Sequence, residues 1–252
     1  MHTVTVRKVT IGEGIPKICV PIVAPLQTEI LKEAEQICKM QADLVEWRAD
    51  WFAQDDPHAA VQVLAALRGV LGDMPLLFTF RTKNEGGQKQ IGTKAYAALN
   101  EAAARSGYAD LIDVELSAGE DAVKSLIAAA HECGVHVIAS SHDFEKTPKQ
   151  QEIVQRLCEM QRLGADILKI AVMPKSRADV LTLLAATEQM QSYANRPVVT
   201  MSMGGFGAVS RICGEVFGSA ITFGAAQKAS APGQLAVQEL AAALSMMHHS
   251  LL

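Results

Sequence analysis

Eight short apolar segments alternate with segments of helical spacing, and this alternation constrains the fold more than any other feature of the chain. The apolar segments are KICVPIV (17–23), DLVEWRAD (43–50), PLLFTF (75–80), LIDVEL (111–116), HVIASSH (136–142), DILKIAV (166–172), PVVTMSM (197–203) and SAITFGA (219–225). Each contains β-branched or aliphatic residues and is bounded by polar residues, Gly or Pro, which is typical of a buried strand. Strands that alternate with helices indicate a parallel sheet joined by crossover connections.

The intervening segments are rich in Ala, Leu, Glu and Gln and predict helices. In 28–40, for example, Ile30, Ala34 and Ile37 share one helical face. The other predicted helices span 57–71, 94–106, 119–133, 150–162, 177–194, 207–215 and 234–247. Eight strand–helix units in 252 residues match the size of a (β/α)8 TIM barrel, with a doubly wound open sheet as the alternative. We expect one domain over 1–252, because no linker divides the chain.

The first fourteen residues do not fit the repeat. TVTVRKVTIG (3–12) alternates polar and apolar residues and predicts a small β-hairpin that closes the bottom of the barrel. The same region lacks the apolar core of a signal peptide, and no apolar run reaches the roughly 18 residues of a membrane span. We therefore expect a cytoplasmic protein that does not associate with membranes.

Charge and cysteine usage limit the partners and cofactors. The formal net charge is −4, and no basic block is present, so nucleic-acid binding is not expected. Five cysteines are scattered without a C-x-x-C pair, a pattern that fits reduced thiols in the cytoplasm. No His, Cys and Asp residues have convincing zinc-ligand spacing, so we expect neither a metal nor another cofactor.

In each of strands two to six, ionisable residues lie at alternate positions that share one face of the strand, mostly near the carboxyl end. In a barrel, alternate residues point inward, and functional residues gather at the carboxyl ends of the strands. The inward set contains Glu46 and Arg48 in the second strand, Thr79 and Arg81 in the third, Asp113 and Glu115 in the fourth, Ser140 and His142 in the fifth, and Lys169 in the sixth. Trp47, between Glu46 and Arg48, should point toward the helices. Packing hardly explains such residues in five consecutive strands, so the pattern predicts an active site. Asp50, just beyond the second strand, suits a helix cap as well as chemistry.

Lys169 stands out because it interrupts an otherwise apolar strand, and lysine is rarely buried. In an apolar interior that also holds arginines, its amine should lose a proton more readily than in water. A neutral amine attacks a carbonyl carbon and forms a Schiff base. His142 on the neighbouring strand could then transfer protons near neutral pH, and a carboxylate such as Glu85 could orient the imidazole.

Two loops add polar groups at the same end of the barrel. MSMGGFGAVSR (201–211) contains glycines that permit close backbone approach, and its Arg211 suits a carboxylate or phosphate partner. After the eighth strand, Ser230 and Gln234 flank a Pro-Gly turn that would hold their side chains over the barrel mouth.

Six motifs occur in order along the chain: EWRAD (46–50), FTFRTKNEGG (78–87), SSHDF (140–144), LKIAVMP (168–174), MSMGGFGAVSR (201–211) and ASAPGQ (229–234). Together they closely resemble the type I 3-dehydroquinate dehydratase family. The resemblance implies a homodimeric (β/α)8 barrel that converts 3-dehydroquinate to 3-dehydroshikimate in the shikimate pathway, by syn elimination of water through an imine.

The resemblance also implies roles for individual residues. Lys169 would form the Schiff base, His142 would transfer the protons and Glu85 would orient His142. Arg211 would hold the substrate carboxylate. The remaining positions, Glu46, Arg48, Arg81, Ser230 and Gln234, would bind ring hydroxyls and close the site.

Two alternatives remain open. A class I aldolase-like barrel also forms a lysine imine, but it would usually bind a sugar phosphate through the loops after strands seven and eight. A catalytically silent barrel that binds a small acid would have no need for Lys169, His142 and Glu85 together. The glycine-rich segment 204–207, which carries Phe206, departs from some relatives and affects the expectation for loop closure.

Overall fold

The computed structural model describes residues 3–226 and 230–252. Lys228 and Ala229, which begin the predicted loop after the eighth strand, lie outside the described residues, as do residues 1, 2 and 227 of the predicted domain. The strands are β1 (Val4–Val6), β2 (Val9–Ile11), β3 (Lys17–Ile22), β4 (Leu44–Arg48), β5 (Leu76–Thr79), β6 (Leu111–Glu115), β7 (His136–Asp143), β8 (Ile167–Val172), β9 (Val198–Ser202), β10 (Ile221–Ala225) and β11 (Leu235–Ala236).

The helices follow the barrel strands in turn. They are α1 (Gln27–Ile37), α2 (Pro57–Leu71), α3 (Thr93–Arg105), α4 (Glu120–Glu132), α5 (Gln150–Arg162), α6 (Arg177–Gln189), α7 (Ala208–Ile212), α8 (Gly214–Phe217) and α9 (Val237–Leu251). Local chemistry determines several of their starts. Asp56 accepts a hydrogen bond from the Ala59 backbone and precedes Pro57 at the first position of α2, while Ser176 and Asp179 form a reciprocal capping box at α6.

Strands β3 to β9 pair in parallel in chain order, and β10 pairs with β3. The ring closes through a parallel bridge between Val198 and Ser219, where the Ala220 amide donates to the Val198 carbonyl at 2.8 Å. The structure therefore confirms the predicted (β/α)8 TIM barrel over the open-sheet alternative. The short strand β11, which the sequence pattern did not predict, adds to the outer end of β10.

The N-terminal strands β1 and β2 form the predicted antiparallel hairpin. Val4, Val6 and Ile11 are buried in one cluster with inward residues from the amino ends of the barrel strands: Leu44, Leu77, Leu111, Ile138 and Ile167. At the hairpin turn, Arg7 binds Asp110 through a 2.7 Å ion pair. The hairpin thus closes the barrel bottom, so the opposite end is open for a site.

Outward-facing strand residues pack against the helices. Trp47 is fully buried and meets Phe52 and Phe78 in edge-to-face contacts with ring centroids 5.9 and 5.6 Å apart. This confirms that Trp47 points away from the barrel interior, and by parity that its neighbours in β4 point inward. Within the described residues, no helix has both the length and the apolar character needed to cross a membrane.

Two predicted helices differ from the structure. The helix predicted over 207–215 is divided into α7 and α8, because Cys213 (φ −98°, ψ 16°) leaves the helical region. The helix predicted over 177–194 ends as α6 at Gln189 and continues as one 3-10 turn over Met190–Ser192. The first difference divides a predicted helix, and the second lies at a helix end, where boundaries commonly vary by one or two residues.

Candidate active site

A cavity opens at the carboxyl ends of the barrel strands. Eight of the nine predicted site residues line it: Glu46, Arg48, Arg81, Glu85, His142, Lys169, Ser230 and Gln234. Apolar side chains of Phe144, Ala171, Met201, Met203 and Phe223 complete much of its wall. Three strands, β4, β7 and β8, supply deeper polar groups, because every second residue near the end of a barrel strand points inward, and Arg81 follows the end of β5.

Lys169 lies at the base of this cavity with a side chain that is 5% exposed. Its Nζ atom is 3.2 Å from Asp113 Oδ2 and 3.8 Å from Glu46 Oε1, and it lies 4.5 Å from the centroid of the Phe223 ring. The nearest charged atoms are therefore carboxylate oxygens. Glu46 and Asp113 were both predicted to point inward, but the expected proton loss from Lys169 considered only burial and arginines and left the charges of these two acids out.

Asp113, on β6, links Lys169 to a buried arginine. Arg81 contacts Asp113 at 2.8 Å and Glu115 at 2.9 Å, and Ser140 donates to Asp113 at 2.6 Å. Burial alone would raise the pKa of Asp113, but the positive charges of Arg81 and Lys169 and the hydrogen bonds lower it overall. Asp113 is thus an ionised carboxylate inside the barrel.

His142 and Glu85 form a hydrogen-bonded pair. Glu85 Oε2 accepts from the His142 backbone amide at 3.0 Å and lies 2.8 Å from Nδ1 of the same residue. An ionised carboxylate can only accept, so in that state Nδ1 carries the hydrogen and Nε2 keeps its lone pair. Glu85 Oε1 accepts from Ser117, and Arg81 lies 3.7 Å from Oε2.

The electrostatics of this pair favour a neutral imidazole. Burial, followed by the charges of Arg81, Lys169 and Arg48, lowers the pKa of His142 well below its ordinary value. Burial also raises the pKa of Glu85 to about 7, with Glu115 acting in the same direction. A neutral histidine next to a carboxyl group that titrates near neutrality is suited to proton transfer.

Tight backbone packing positions Glu85. It ends a 3-10 turn over Lys83–Glu85, and Gly86 follows in the left-handed region at φ 84°. A Cβ atom at Gly87 would lie 1.8 Å from the Arg81 carbonyl oxygen. Only glycine allows the chain to fold back this closely, which brings the Glu85 carboxylate to the histidine.

Arg48 and Glu46, both on the inward face of β4, are each held by a hydrogen-bonding partner. Arg48 makes a bidentate pair with Asp50 at 2.7 and 2.8 Å, and Glu46 accepts from Thr79 at 2.9 Å. Asp50 also accepts from the Arg81 amide at 3.3 Å. From the sequence alone, Asp50 suited capping and chemistry equally; in the structure it is fully buried and pairs with Arg48.

Ser230 and Gln234 hold the rim through mutual hydrogen bonds. The Ser230 amide donates to Gln234 Oε1 at 2.8 Å, and Gln234 Nε2 donates to Ser230 Oγ at 3.0 Å. The Gly204 amide donates to the Pro232 carbonyl at 3.0 Å, which joins this loop to the glycine-rich segment after β9.

Arg211 is the predicted site residue that does not line the cavity in the described part of the chain. Its buried guanidinium donates to the carbonyls of Phe223 at 3.5 Å and Pro232 at 3.2 Å, and Nε has no hydrogen-bond partner among the described residues. Burial without a carboxylate partner lowers the pKa of Arg211 to about 10. A buried cation with only carbonyl partners, next to a cavity rim, is suited to bind an anion.

Chemically, the cavity combines an amine, a histidine–carboxyl pair and several cations. The amine can add to a ketone, the imidazole can take and return a proton, and the arginines can bind a carboxylate or hydroxyl groups. No group of three or more His, Cys, Asp or Glu side chains suited to a metal ion occurs within residues 3–226 and 230–252.

Comparison with known proteins gives a consistent family. A family model described as type I 3-dehydroquinase matches residues 18–251. A 3-dehydroquinate dehydratase from Bacillus licheniformis is 54% identical over 250 residues, and one from Clostridioides difficile is 51% identical over 250 residues; each match covers 98% of both chains.

Solved structures agree. A type I 3-dehydroquinate dehydratase from Clostridium difficile, crystallised with covalent modified comenic acid, superposes with a TM-score of 0.96 at 50% identity and covers 99% of each chain. A 3-dehydroquinate dehydratase from Enterococcus faecalis has a TM-score of 0.91 at 46% identity, covering 96% of this chain and 98% of that one.

Proposed function

The chain belongs to the type I 3-dehydroquinase family, and from this membership we propose how its side chains divide the steps of the reaction. The activity is that of a 3-dehydroquinate dehydratase, a hydro-lyase of the shikimate pathway. The substrate is 3-dehydroquinate, and water is lost by syn elimination to give 3-dehydroshikimate. The observation that carries the mechanism is a buried amine, Lys169, at the base of a cavity that also contains the His142–Glu85 pair.

Lys169 attacks the C3 ketone of the substrate and forms a Schiff base, with loss of one water molecule. Its 3.2 Å contact with Asp113 holds Nζ at the cavity base, where apolar side chains shield the reacting atoms. The resulting iminium draws electrons from the ring and acidifies the C2 proton. The relative from Clostridium difficile carries a covalently modified ligand in its crystal structure, which supports a covalent mechanism for this chain too.

His142 then removes the C2 proton and delivers a proton to the departing C1 hydroxyl, so that water leaves and the C1–C2 double bond forms. The neutral imidazole provides the base, because burial, and after it the surrounding cations, lowers the pKa of His142. Glu85 fixes the ring through Nδ1 and stabilises the imidazolium that forms when the proton arrives. The catalytic residues are thus Lys169, His142 and Glu85.

The remaining site residues bind and enclose the ring. Arg211 binds the C1 carboxylate, since its buried guanidinium has no acidic partner among the described residues. Glu46, Arg48, Arg81, Ser230 and Gln234 bind the ring hydroxyls and close the cavity. No cofactor enters this mechanism, because the lysine supplies the electron sink.

The aldolase-like and silent-barrel alternatives are not retained. The family match extends over 18–251, and relatives more than half identical to the chain are 3-dehydroquinate dehydratases. A direct assay tests the assignment. Purified protein mixed with 3-dehydroquinate should produce the ultraviolet absorbance of a conjugated enone, while Lys169→Ala should not. Absence of this signal from the wild-type protein would contradict the proposed reaction.

We also propose that the chain forms one domain over 1–252 and assembles as a homodimer in the cytoplasm. Exposed apolar side chains of Leu181, Phe206 and Val216 offer surface for a second copy. The cysteines are free thiols, and two of them, Cys38 and Cys133, are exposed, which favours a reducing compartment. Light scattering should give twice the chain mass; a monomer at micromolar concentration would contradict the dimer.

A further inference from the structure

Asp113 differs from the other acids near Lys169 because it faces the lysine from below the cavity. Its side chain is fully buried and, unlike Glu46, it is not among the described residues that line the cavity. A ligand in the cavity can contact Glu46, whereas Asp113 contacts only protein groups. Its Oδ2 atom lies 3.2 Å from Lys169 Nζ, closer than the 3.8 Å contact of Glu46.

The surrounding network keeps Asp113 both charged and fixed. Arg81 contacts the same Oδ2 atom at 2.8 Å, and Ser140 donates to Oδ1 at 2.6 Å. Arg81 is itself anchored by Glu115, which also accepts from the Thr82 amide and hydroxyl at 2.8 and 2.7 Å. Strand pairing fixes the geometry, because Glu115 pairs with Ser140 and Ser140 pairs with Lys169 in the barrel register.

Charge balance shows what a fixed anion at this position can do. A lysine ammonium and a ketone yield a protonated imine and water, so the nitrogen carries one positive charge before and after the step. In a buried site, a single carboxylate can therefore neutralise both states without itself gaining or losing a proton. A protonated imine withdraws electrons from the substrate, whereas a neutral imine does so poorly.

We propose that Asp113 is the counterion of the Schiff-base nitrogen and holds the proton on that nitrogen during the elimination. This inference rests on the proposed function, because it requires the Lys169 imine. It makes Asp113 a catalytic residue that contacts a reacting atom and never the rest of the substrate.

Other charged or titratable groups face Lys169 and Asp113 from the neighbouring strands. They are Cys19 on β3, Glu46 and Arg48 on β4, Arg81 and Glu85 after β5, Tyr96 on α3, Glu115 on β6 and His142 on β7. Of the carboxylates, Glu115 is occupied by Arg81 and Thr82, and Glu85 by His142. Glu46 accepts from Thr79 and lies 3.8 Å from Nζ, whereas Asp113 lies 3.2 Å from it, so Asp113 is the acid nearer to the charge on Nζ.

The test compares Asp113→Asn with Ser140→Ala. Asparagine removes the anion and keeps the side-chain shape, while the alanine variant breaks a hydrogen bond in the same network and keeps the anion. An opposite charge at this distance shifts a titration by about 1 to 3 pH units. Asp113→Asn should therefore lower kcat and move the alkaline limb of the kcat–pH profile to a pH at least about one unit lower. In Ser140→Ala, this alkaline limb should stay at the wild-type pH.

A second measurement uses the wild-type protein and does not depend on a variant that folds. Cyanoborohydride transfers hydride to the carbon of a protonated imine and leaves a secondary amine. With 3-dehydroquinate present, the pH midpoint for reduction of the protein adduct should exceed that of the imine formed by butylamine and the same ketone in water.

The outcomes separate this inference from the proposed function. No adduct in the wild-type protein would overturn both. If the adduct forms, two results would overturn the counterion role alone. One is an alkaline limb of the kcat–pH profile at the same pH in Asp113→Asn and wild type; the other is an equal shift of that limb in Asp113→Asn and Ser140→Ala. If Asp113→Asn does not fold, the wild-type reduction decides. A pH midpoint for reduction of the protein adduct at or below that of the butylamine imine would overturn the counterion role, and a higher pH midpoint would support it.

Discussion

Replacing Glu85 by glutamine should stabilise the fold above neutral pH while it slows turnover. The Glu85 carboxyl group is 7% exposed and accepts two hydrogen bonds from His142, at 3.0 and 2.8 Å. Burial raises its pKa to about 7, so ionisation is harder in the native protein than in the unfolded chain. Glutamine keeps the shape and an acceptor oxygen but cannot ionise.

The magnitude follows from linkage between protonation and folding. The pKa rises from 4.5 to about 7, a shift of about 2.5 units that corresponds to about 3 kcal/mol of unfolding free energy. Because the pKa is raised on folding, the native state binds more protons than the unfolded chain between these values. The contribution of Glu85 to the unfolding free energy is therefore fully present below about pH 4.5 and is lost as pH rises through about 7. An imperfectly paired amide should cost about 1 kcal/mol at every pH.

Urea unfolding at pH 5 and pH 8.5 measures this difference. The stability of Glu85→Gln relative to wild type should rise by about 2 to 3 kcal/mol between the two pH values. Titration of His142 contributes to the pH dependence of the unfolding free energy in both proteins and largely cancels in their difference. An exposed control, Glu35→Gln on α1, should leave the pH dependence unchanged because solvent screens its charge. A change in unfolding free energy between pH 5 and pH 8.5 that is the same for Glu85→Gln and wild type would contradict the raised pKa of Glu85. In the same preparations, kcat of Glu85→Gln should fall by about tenfold or more.

Lys169→Ala should abolish turnover yet still bind the product-like acid in calorimetry; turnover at the wild-type rate would exclude the imine. Arg211→Ala should raise the Kd for that acid about tenfold or more, since a charge-assisted pair is worth about 1.5 to 3 kcal/mol; unchanged affinity would place the carboxylate elsewhere. Gly87→Ala should lower kcat and Tm, because a Cβ would lie 1.8 Å from the Arg81 carbonyl oxygen. Its control is Gly69→Ala in helix α2, where a Cβ meets nothing within 4 Å and kcat should stay unchanged. Equal effects of both glycine substitutions would remove the argument for a packed turn.

Strand parity was sufficient to predict which barrel residues point inward. Glu46, His142 and Lys169 all line the cavity, because side-chain alternation along a strand is a local property that the sequence displays directly. The same alternation correctly directed Trp47 toward the helices. The N-terminal hairpin was predictable for the same reason, since its apolar residues alternate over only a few positions.

Partners across strands were not predictable in this way. Parity placed Asp113 and Lys169 on the inner face, but their 3.2 Å contact depends on the lateral register of three strands. Likewise, Asp50 could equally have capped a turn, and only the folded chain shows its pairing with Arg48.

Loop residues required different information. Glu85, Ser230 and Gln234 lie outside regular strands, where no periodicity indicates a direction; their residue types and a Pro-Gly turn made them candidates, and the family resemblance implied their roles. The structure brings all three to the cavity. It places Arg211 behind the rim instead, because its guanidinium is engaged by backbone carbonyls of β10 and the following loop.

The most direct test of the mechanism is borohydride trapping of the imine. The wild-type protein is mixed with 3-dehydroquinate and borohydride, and peptide mass spectrometry locates any adduct. The mechanism predicts inactivation and a reduced ligand attached to Lys169, with no adduct when substrate is omitted or when Lys169 is replaced by alanine. Full activity after this treatment, or an adduct on another lysine alone, would contradict it.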